Sequence, residues 1–387
     1  MSQQHLPFVI HDLQDSQMFA LAQAAGRAGF GVQGLASSNE PWIEASRYVD
    51  GCTLIPSLGH VIESVYALNL KKSGVSGVWL PCVDDIAMFT REFHYFLQDL
   101  GLLHLIASSK SIEQSDLSCL QDFDGFLHIP ETHWLAWNDL QAAAEQMPYP
   151  LILKSSRGQF QTFTTPQAFA HYLNQHDASP LLQRIQHYIE GETSRMATAM
   201  LLFDQHGNIV RGFTGRRLAV EETQHGHFGE TIVAKAEWIP ELYAGAVELL
   251  EHIAWQGFAE VECKQAEDGT WYVLEINPRL SGWLCLAEAD GAGFLQAYHA
   301  LCTRDVTLQA ACLQRSSCEY IRLVTAGFHQ PHWETPRHPI KTIACLFKDM
   351  YQVWRGFPQF IGGAIDPLDK HASIAIVWQN IKHVFKL

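Results

Sequence analysis

Residues 261–282 read VECKQAEDGTWYVLEINPRLSG, and no other stretch restricts the fold of this chain as much. Two apolar runs, each carrying an acid, flank a turn at Asp268-Gly269. Valine, isoleucine and aromatic residues favour strands, and Asp-Gly between two strands favours a hairpin. Alternation along the second strand puts Glu275 and Asn277 on one face. Closing the hairpin brings Glu262 beside Glu275. Two carboxylates and an amide oxygen then converge, with the guanidinium of Arg279 two residues beyond. Hard oxygen donors of this kind suit Mg²⁺, which keeps some waters and shares phosphate oxygens. Side-by-side burial of two carboxylates is costly unless a cation lies between them. The competing reading is an exposed hairpin with incidental acids, but the run around Glu275 is too apolar for an ordinary solvated edge.

The N-terminal third alternates strand-like and helix-like patterns. Strands are expected at residues 6–10, 31–36, 52–56 and 77–82, and helices at 16–28, 61–72 and 85–100. Such alternation implies βαβ units on a parallel sheet. Ligands on these sheets lie beyond the carboxyl ends of the strands, which places His11, Asp12, Ser37, Ser38, Pro81 and Asp84 at the rim. Gly29 to Gly34 matches GxGxxG. It follows a helix and runs into a strand, whereas a dinucleotide fingerprint follows a strand and opens a helix. It is read as a helix C-cap and tight loop.

Residues 108–147 read as a helical connector. An apolar strand at 151–154 ends in Lys154, and Ser155-Ser156-Arg157-Gly158-Gln159 follows as a polar loop. A strand-end lysine there reaches phosphate oxygens while loop amides donate to them, and Arg157 adds charge. Further strands are expected at 181–189, 196–203 and 209–220, with a turn at 204–208 and a helix at 240–256. Here the strands run antiparallel, so this part is α+β. Arg216 and Arg217 are adjacent on a strand, so one faces in and the other out.

These motifs resemble the ATP-grasp superfamily, in its carboxylate–amine ligase and carbamoyl-phosphate-synthase-like branches. The resemblance runs from about residue 6 to about residue 304, with boundaries good to a few residues. It implies an α/β N-terminal parallel-sheet domain (1–107), an α+β ATP-grasp domain holding the nucleotide and metal site (108–307), and an extra C-terminal segment (308–387) without a functional reading. It further implies two Mg²⁺ on Glu262, Glu275 and Asn277, with Mn²⁺ as an alternative, against the phosphates of ATP. Lys154 would contact the α-phosphate and adenine side under a glycine-rich loop; here that loop has only Gly158. Gln186-His187-Tyr188-Ile189-Glu190-Gly191-Glu192 resembles the hinge that reads adenine, with His187 where an acid is common and Glu192 offered to the ribose hydroxyls. The family carries a basic residue at Arg216 or Arg217 against the β/γ-phosphates. Arg217 is favoured as the catalytic contact, with Arg216 assigned to the nucleotide. Arg279 would stabilise the transferring phosphoryl group and an acyl phosphate. Many relatives have a lysine in the connector; spacing puts Ser115 there, and Lys110 is the nearest lysine.

The resulting expectation is an ATP-dependent ligase joining a carboxylate to an amine through an acyl phosphate, with ADP and phosphate released. The acceptor pocket would be built from residues 223–230 and 282–291. Substrates would be small carboxylates and amines, amino acids among them. A carboxylase or carbamoyl-phosphate-type enzyme, and a nucleotide-binding regulator without turnover, are the alternatives. A net charge of −15 argues against nucleic-acid or anionic-membrane partners. Nine cysteines without a CxxC pair fit a reduced cytoplasmic setting better than a disulfide framework. Neither a signal peptide nor a membrane span is expected. A homodimer is an allowed assembly. No Walker A or GxSxG sequence is present, which disfavours a P-loop ATPase or a serine nucleophile.

Overall fold

The structure, a computed structural model, describes residues 6–154, 160–220, 231–304, 312–313, 319–321, 351, 355, 360–361 and 365–385. The first layer is a five-stranded parallel sheet. Its strands are β1 (Phe8–Ile10), β2 (Val32–Ala36), β3 (Gly51–Leu54), β4 (Gly77–Trp79) and β5 (Leu102–Leu103), in the order β3-β2-β1-β4-β5. The connecting helix Ser16–Arg27 starts where Asp15 accepts hydrogen bonds from the amides of Gln17 and Met18 at 2.7 and 3.2 Å, an aspartate N-cap. It ends at Ala28, after which Gly29 takes φ +89°. The GxGxxG stretch is therefore a helix terminus.

A second sheet, antiparallel and four-stranded, contains β6 (Thr132–Leu135), β7 (Leu151–Lys154), β8 (Phe160–Phe163) and β9 (Gln183–His187), in the order β6-β9-β7-β8. One face carries Leu151, Leu153, Phe163 and Ile185 into a core with Phe169 of the helix Pro166–Gln175. The other face is left for the cleft described below.

The third sheet is centred on β10 (Met196–Phe203), β11 (Ile209–Val220), β12 (Thr231–Ala236), β13 (Gly257–Gln265) and β14 (Trp271–Asn277). Alternation divides β10 between two cores. Ala197, Ala199, Leu201 and Phe203 pack toward the helix Pro240–His252. Met200 and Leu202 face the helices Leu284–Ala289 and Phe294–Thr303 and the first layer. Buried on both sides, β10 reads as a continuous apolar run.

Several expectations are corrected. Residues 108–147 are not one helix. Gly125 and Pro130 interrupt them, leaving the helices Ser109–Gln114 and Leu140–Ala144 around β6, a strand whose Thr-His-Trp-Leu alternation the helical reading missed. The helix expected at 85–100 is broken at Phe93 into Asp84–Glu92 and His94–Asp99. The described residues of the C-terminal segment, which has no functional reading from sequence, contact the other layers. Strands β15 (Cys312–Leu313), β16 (Glu319–Ile321) and β17 (Phe360–Ile361) pair with β11, β12 and β16 respectively. The helix Lys370–Phe385 lies on the helix Pro41–Ala45 of the first layer. Ahead of it, Asp366 pairs with Arg27. Asp369 accepts from Gln23 (3.1 Å), Ser46 (2.6 Å) and the Arg47 amide (3.0 Å).

Candidate active site

The hairpin β13–β14 has the expected register: Glu262 lies opposite Glu275, and Glu260 opposite Asn277. Cys263 then pairs with Val273, so Leu274 is an extra residue on β14. This bulge allows Leu274 and Glu275 both to line a cleft between the second and third sheets, with a volume of about 480 Å³. Glu275 is 47% exposed and its Oε1 lies 3.7 Å from Arg184. Glu262 accepts from Arg217 at 3.2 Å. Asn277 donates through Nδ2 to Glu262 at 3.3 Å and to Glu260 at 3.2 Å.

Four cations line the cleft: Lys154, Arg184, Arg217 and Lys264. Burial, reinforced by the Arg184 guanidinium, lowers the Lys154 ammonium to about 8, while Glu275 and Glu262 oppose the shift. Burial also lowers Lys264, which lies 5.3 Å from the Tyr188 ring centroid. At Glu262, burial and then the neighbouring Glu260 carboxylate raise the carboxyl above the usual range, against Arg217 and Arg279. Ile152, Tyr188, Ile189, Met196 and Leu274, with Trp134 and Phe160, form the apolar part of the lining. Buried Nε atoms of Arg184 and Arg217 and Nε2 of Gln186 have no hydrogen-bond partner. Unpartnered buried donors in a cleft mark a place that an acceptor-rich ligand would complete. A nucleotide polyphosphate and its base fit this mixture of cations and apolar wall. Among the described residues, no three histidine, cysteine or acidic side chains gather into a closed metal cage. Glu262 and Glu275 line the cleft; Asn277, 6% exposed, lies behind it and is not part of the lining. Two carboxylates leave open positions of the sort Mg²⁺ fills with phosphate oxygens.

No protein-family model matches the sequence. Among solved structures, the chain is similar to phosphoribosylglycinamide synthetase from Anaerococcus prevotii, with a TM-score of 0.59, 10% identity, and 81% of this chain and 80% of that one covered. It is also similar to L-amino acid ligase from Bacillus licheniformis (TM-score 0.54, 18% identity, 80% and 78% covered). Biotin carboxylase from Campylobacter jejuni is a third (TM-score 0.56, 12% identity, 78% and 72% covered). The chain has the ATP-grasp fold.

Within the ATP-grasp cleft, Lys154, Gln186, His187, Tyr188, Ile189, Arg217, Glu262 and Glu275 are brought together. Other expected residues lie elsewhere. Arg216, on the opposite face of β11, bonds to Glu237 at 2.8 Å and stacks over Trp271, so it is turned away from the cleft. Outside a bulge, adjacent strand residues face opposite sides. Glu192 is exposed and accepts from Ser194 at 3.2 Å; it does not line the cleft. The backbone amides of His187 and Tyr188 are taken by the carbonyls of Glu131 and Pro150. Arg157 and residues 223–230 lie outside the described residues. Arg279 is engaged by Asp84 at 2.7 Å and Glu260 at 3.5 Å, and the Leu280 amide donates to Pro81, so the rim of the first sheet meets the hairpin exit. Burial works against the charge of Arg279, but Glu260 and Asp84 outweigh it and raise its pKa. Ser115 is buried against the Ile112 carbonyl, and Lys110 is exposed.

Sequence reasoning missed Arg184, Lys264 and Glu260. The signal was available in all three. Arg184 is two residues before Gln186, Lys264 two after Glu262, and Glu260 two before it. The alternation that joined Glu275 to Asn277 puts each on the same face as its neighbour.

Proposed function

We propose that this chain is an ATP-dependent ligase that joins a small carboxylate to an amine. The observation that carries the reading is the cleft in which the Glu262–Glu275 pair faces Lys154, Arg184, Arg217 and Lys264. It is supported by the likeness to an amino-acid ligase and a synthetase on the same fold. Residues 1–107 would serve as the parallel-sheet domain, residues 108–307 as the nucleotide domain and residues 308–387 as a C-terminal segment tied to both. The working compartment would be the cytoplasm.

In this reading the cations hold the phosphate chain, and Tyr188, Ile189 and the apolar wall hold the base. Glu262, Glu275 and Asn277 would hold Mg²⁺, which supplies charge neutralisation between phosphate oxygens. The substrate carboxylate attacks the γ-phosphorus in line, giving an acyl phosphate and ADP. Arg217 and Arg279 stabilise charge on the transferring group. The amine then attacks the acyl carbon, and phosphate leaves as the amide forms. Positioning and electrostatics carry the catalysis. The test is ADP and phosphate release from ATP and Mg²⁺ across a panel of amino acids and carboxylates, with product masses recorded. An amide product with stoichiometric ADP is expected. AMP and pyrophosphate, or no turnover with any pair, would overturn the reading.

A second reading is supported by the likeness to biotin carboxylase: carboxyphosphate chemistry on the same cleft. ADP release that requires bicarbonate and no amine would favour it. A nucleotide-binding regulator is supported by Ser115 standing where relatives carry a connector lysine. Tight ATP binding without turnover on any substrate would favour that.

A further inference from the structure

Glu260 is 3% exposed and sits behind the cleft, absent from its lining. A buried carboxylate is expensive unless its oxygens are satisfied, and here each is shared by two donors. Oε1 accepts from Ser281 at 2.7 Å and Thr198 at 3.2 Å. Oε2 accepts from Asn277 Nδ2 at 3.2 Å and Arg279 Nη1 at 3.5 Å. Glu260 thus ties β10, β14 and the exit of the hairpin to one point on β13.

The consequence falls on Asn277. Its amide has one oxygen and one nitrogen, and only the oxygen can ligate a cation. The side chain faces two carboxylates, Glu260 and Glu262, which are acceptors when ionised. An amide oxygen turned toward them would meet like partial charge on both sides, so the nitrogen must take that place. Glu262 belongs to the proposed metal set and would have its oxygens drawn to the cation. Glu260 does not, and keeps its hold on Nδ2.

We infer that Glu260 is a positioning residue that fixes the amide of Asn277 with Oδ1 as its free ligating atom, and holds Arg279 at the same time. This rests on the metal-site reading of Glu262, Glu275 and Asn277. Residues that orient a metal ligand without touching the metal commonly change metal affinity about 10–100-fold when removed.

The probe is Mn²⁺, titrated by electron paramagnetic resonance into the full-length protein. Wild type should bind, and Glu262→Gln should abolish binding. If wild type binds no Mn²⁺, or if Glu262→Gln binds like wild type, the metal-site reading fails and this inference fails with it. With those controls met, Glu260→Met should weaken Mn²⁺ by about tenfold or more. In the Asn277→Asp background, where both side-chain atoms are oxygens, Glu260→Met should cost less than about threefold. A merely structural role would not be rescued by that change. Glu260→Gln is isosteric and keeps one acceptor for the Asn277 amide while donating to the hydroxyls. It should fold and bind within about threefold of wild type, which keeps the test open should Glu260→Met fail to fold. Wild-type affinity in folded Glu260→Met overturns the inference. So does a tenfold loss in Glu260→Gln, because Glu260 would then be supplying charge and not orientation.

Discussion

At the end of β7, Lys154 shares the cleft with Arg184, Glu262 and Glu275, and its ammonium is lowered to about 8 by burial and by Arg184. A phosphate binds the charged form. Nucleotide affinity should therefore be full below pH 8 and fall as pH rises through about 8, with proton uptake on binding near that pH. Calorimetry in buffers of different ionisation enthalpy reads both. Replacing Arg184 by methionine removes one cause of the lowering, so the fall should move to higher pH; an unchanged profile would assign the titration to another group. Lys154→Ala should weaken ATP below about pH 8 and remove this pH dependence. At the other side of the cleft, Glu275→Gln keeps shape and deletes charge. ADP formation should drop on the order of 10²-fold or more, as for loss of a metal ligand in phosphoryl transfer, and Glu262→Gln should behave alike. Near-wild-type rates in both would remove the metal assignment.

At the scale of elements, the hairpin was legible because its information is local. Asp268-Gly269 sets the turn, with Gly269 at φ +92°, and alternation sets the faces. The bulge at Leu274 was not legible, since it reflects how β14 sits against β13 and not any residue in β14 alone. The GxGxxG segment lies at a helix end, as its place after a helical pattern indicated. A Cβ on Gly31 would approach Asp50 Oδ2 to 2.7 Å, and that oxygen accepts the Val32 amide. Gly31→Ala should thus cost about 1 kcal/mol of stability, as small overpacking does, read as a lowered Tm. Wild type and variant should both show no NAD binding by calorimetry; NAD binding lost in the variant would reverse this reading. The docking of the C-terminal helix offers a second case. Asp366 is 1% exposed and is paired to Arg27. Arg27→Met leaves Oδ2 of that carboxylate without its cation while Oδ1 keeps the Leu368 amide, and should destabilise by about 1–3 kcal/mol, the scale of a buried acceptor left unpaired. Adding Asp366→Asn should recover much of the loss. Thermal unfolding of the single and double variants checks this.

For the whole molecule, the layers meet where chemistry would occur. Asp84 and Pro81 of the first layer, just beyond β4, reach Arg279 and Leu280 beyond the hairpin, and the cleft opens between the second and third sheets. The proposed acyl phosphate makes a prediction at this scale, because it needs carboxylate, phosphate chain and amine held at once. A substrate labelled with ¹⁸O in its carboxylate should pass one labelled oxygen to the released phosphate. Unlabelled phosphate with amide still formed would eliminate that route. Arg279→Lys keeps the charge but loses the planar fork that Asp84 and Glu260 now hold, so kcat should fall more than ATP affinity does.

What the sequence determined by itself was whatever period and punctuation encode locally: the parallel βαβ pattern of the first layer, the strands at 196–203 and 209–220, the Glu262–Glu275 register and the lysine at a strand end. Tertiary structure decided the rest. It chose Arg217 over Arg216 for the cleft, because only the placement of β11 between β10 and β12 says which face is which. It brought Arg184 from β9 to the side of Lys154 on β7 through their pairing. It buried Glu260 among donors from β10, β14 and the segment after β14. It also returned the C-terminal residues to the first helix across 346 positions of sequence. Contacts over such separations depend on the summed packing of every intervening element, and no local pattern of residues records them.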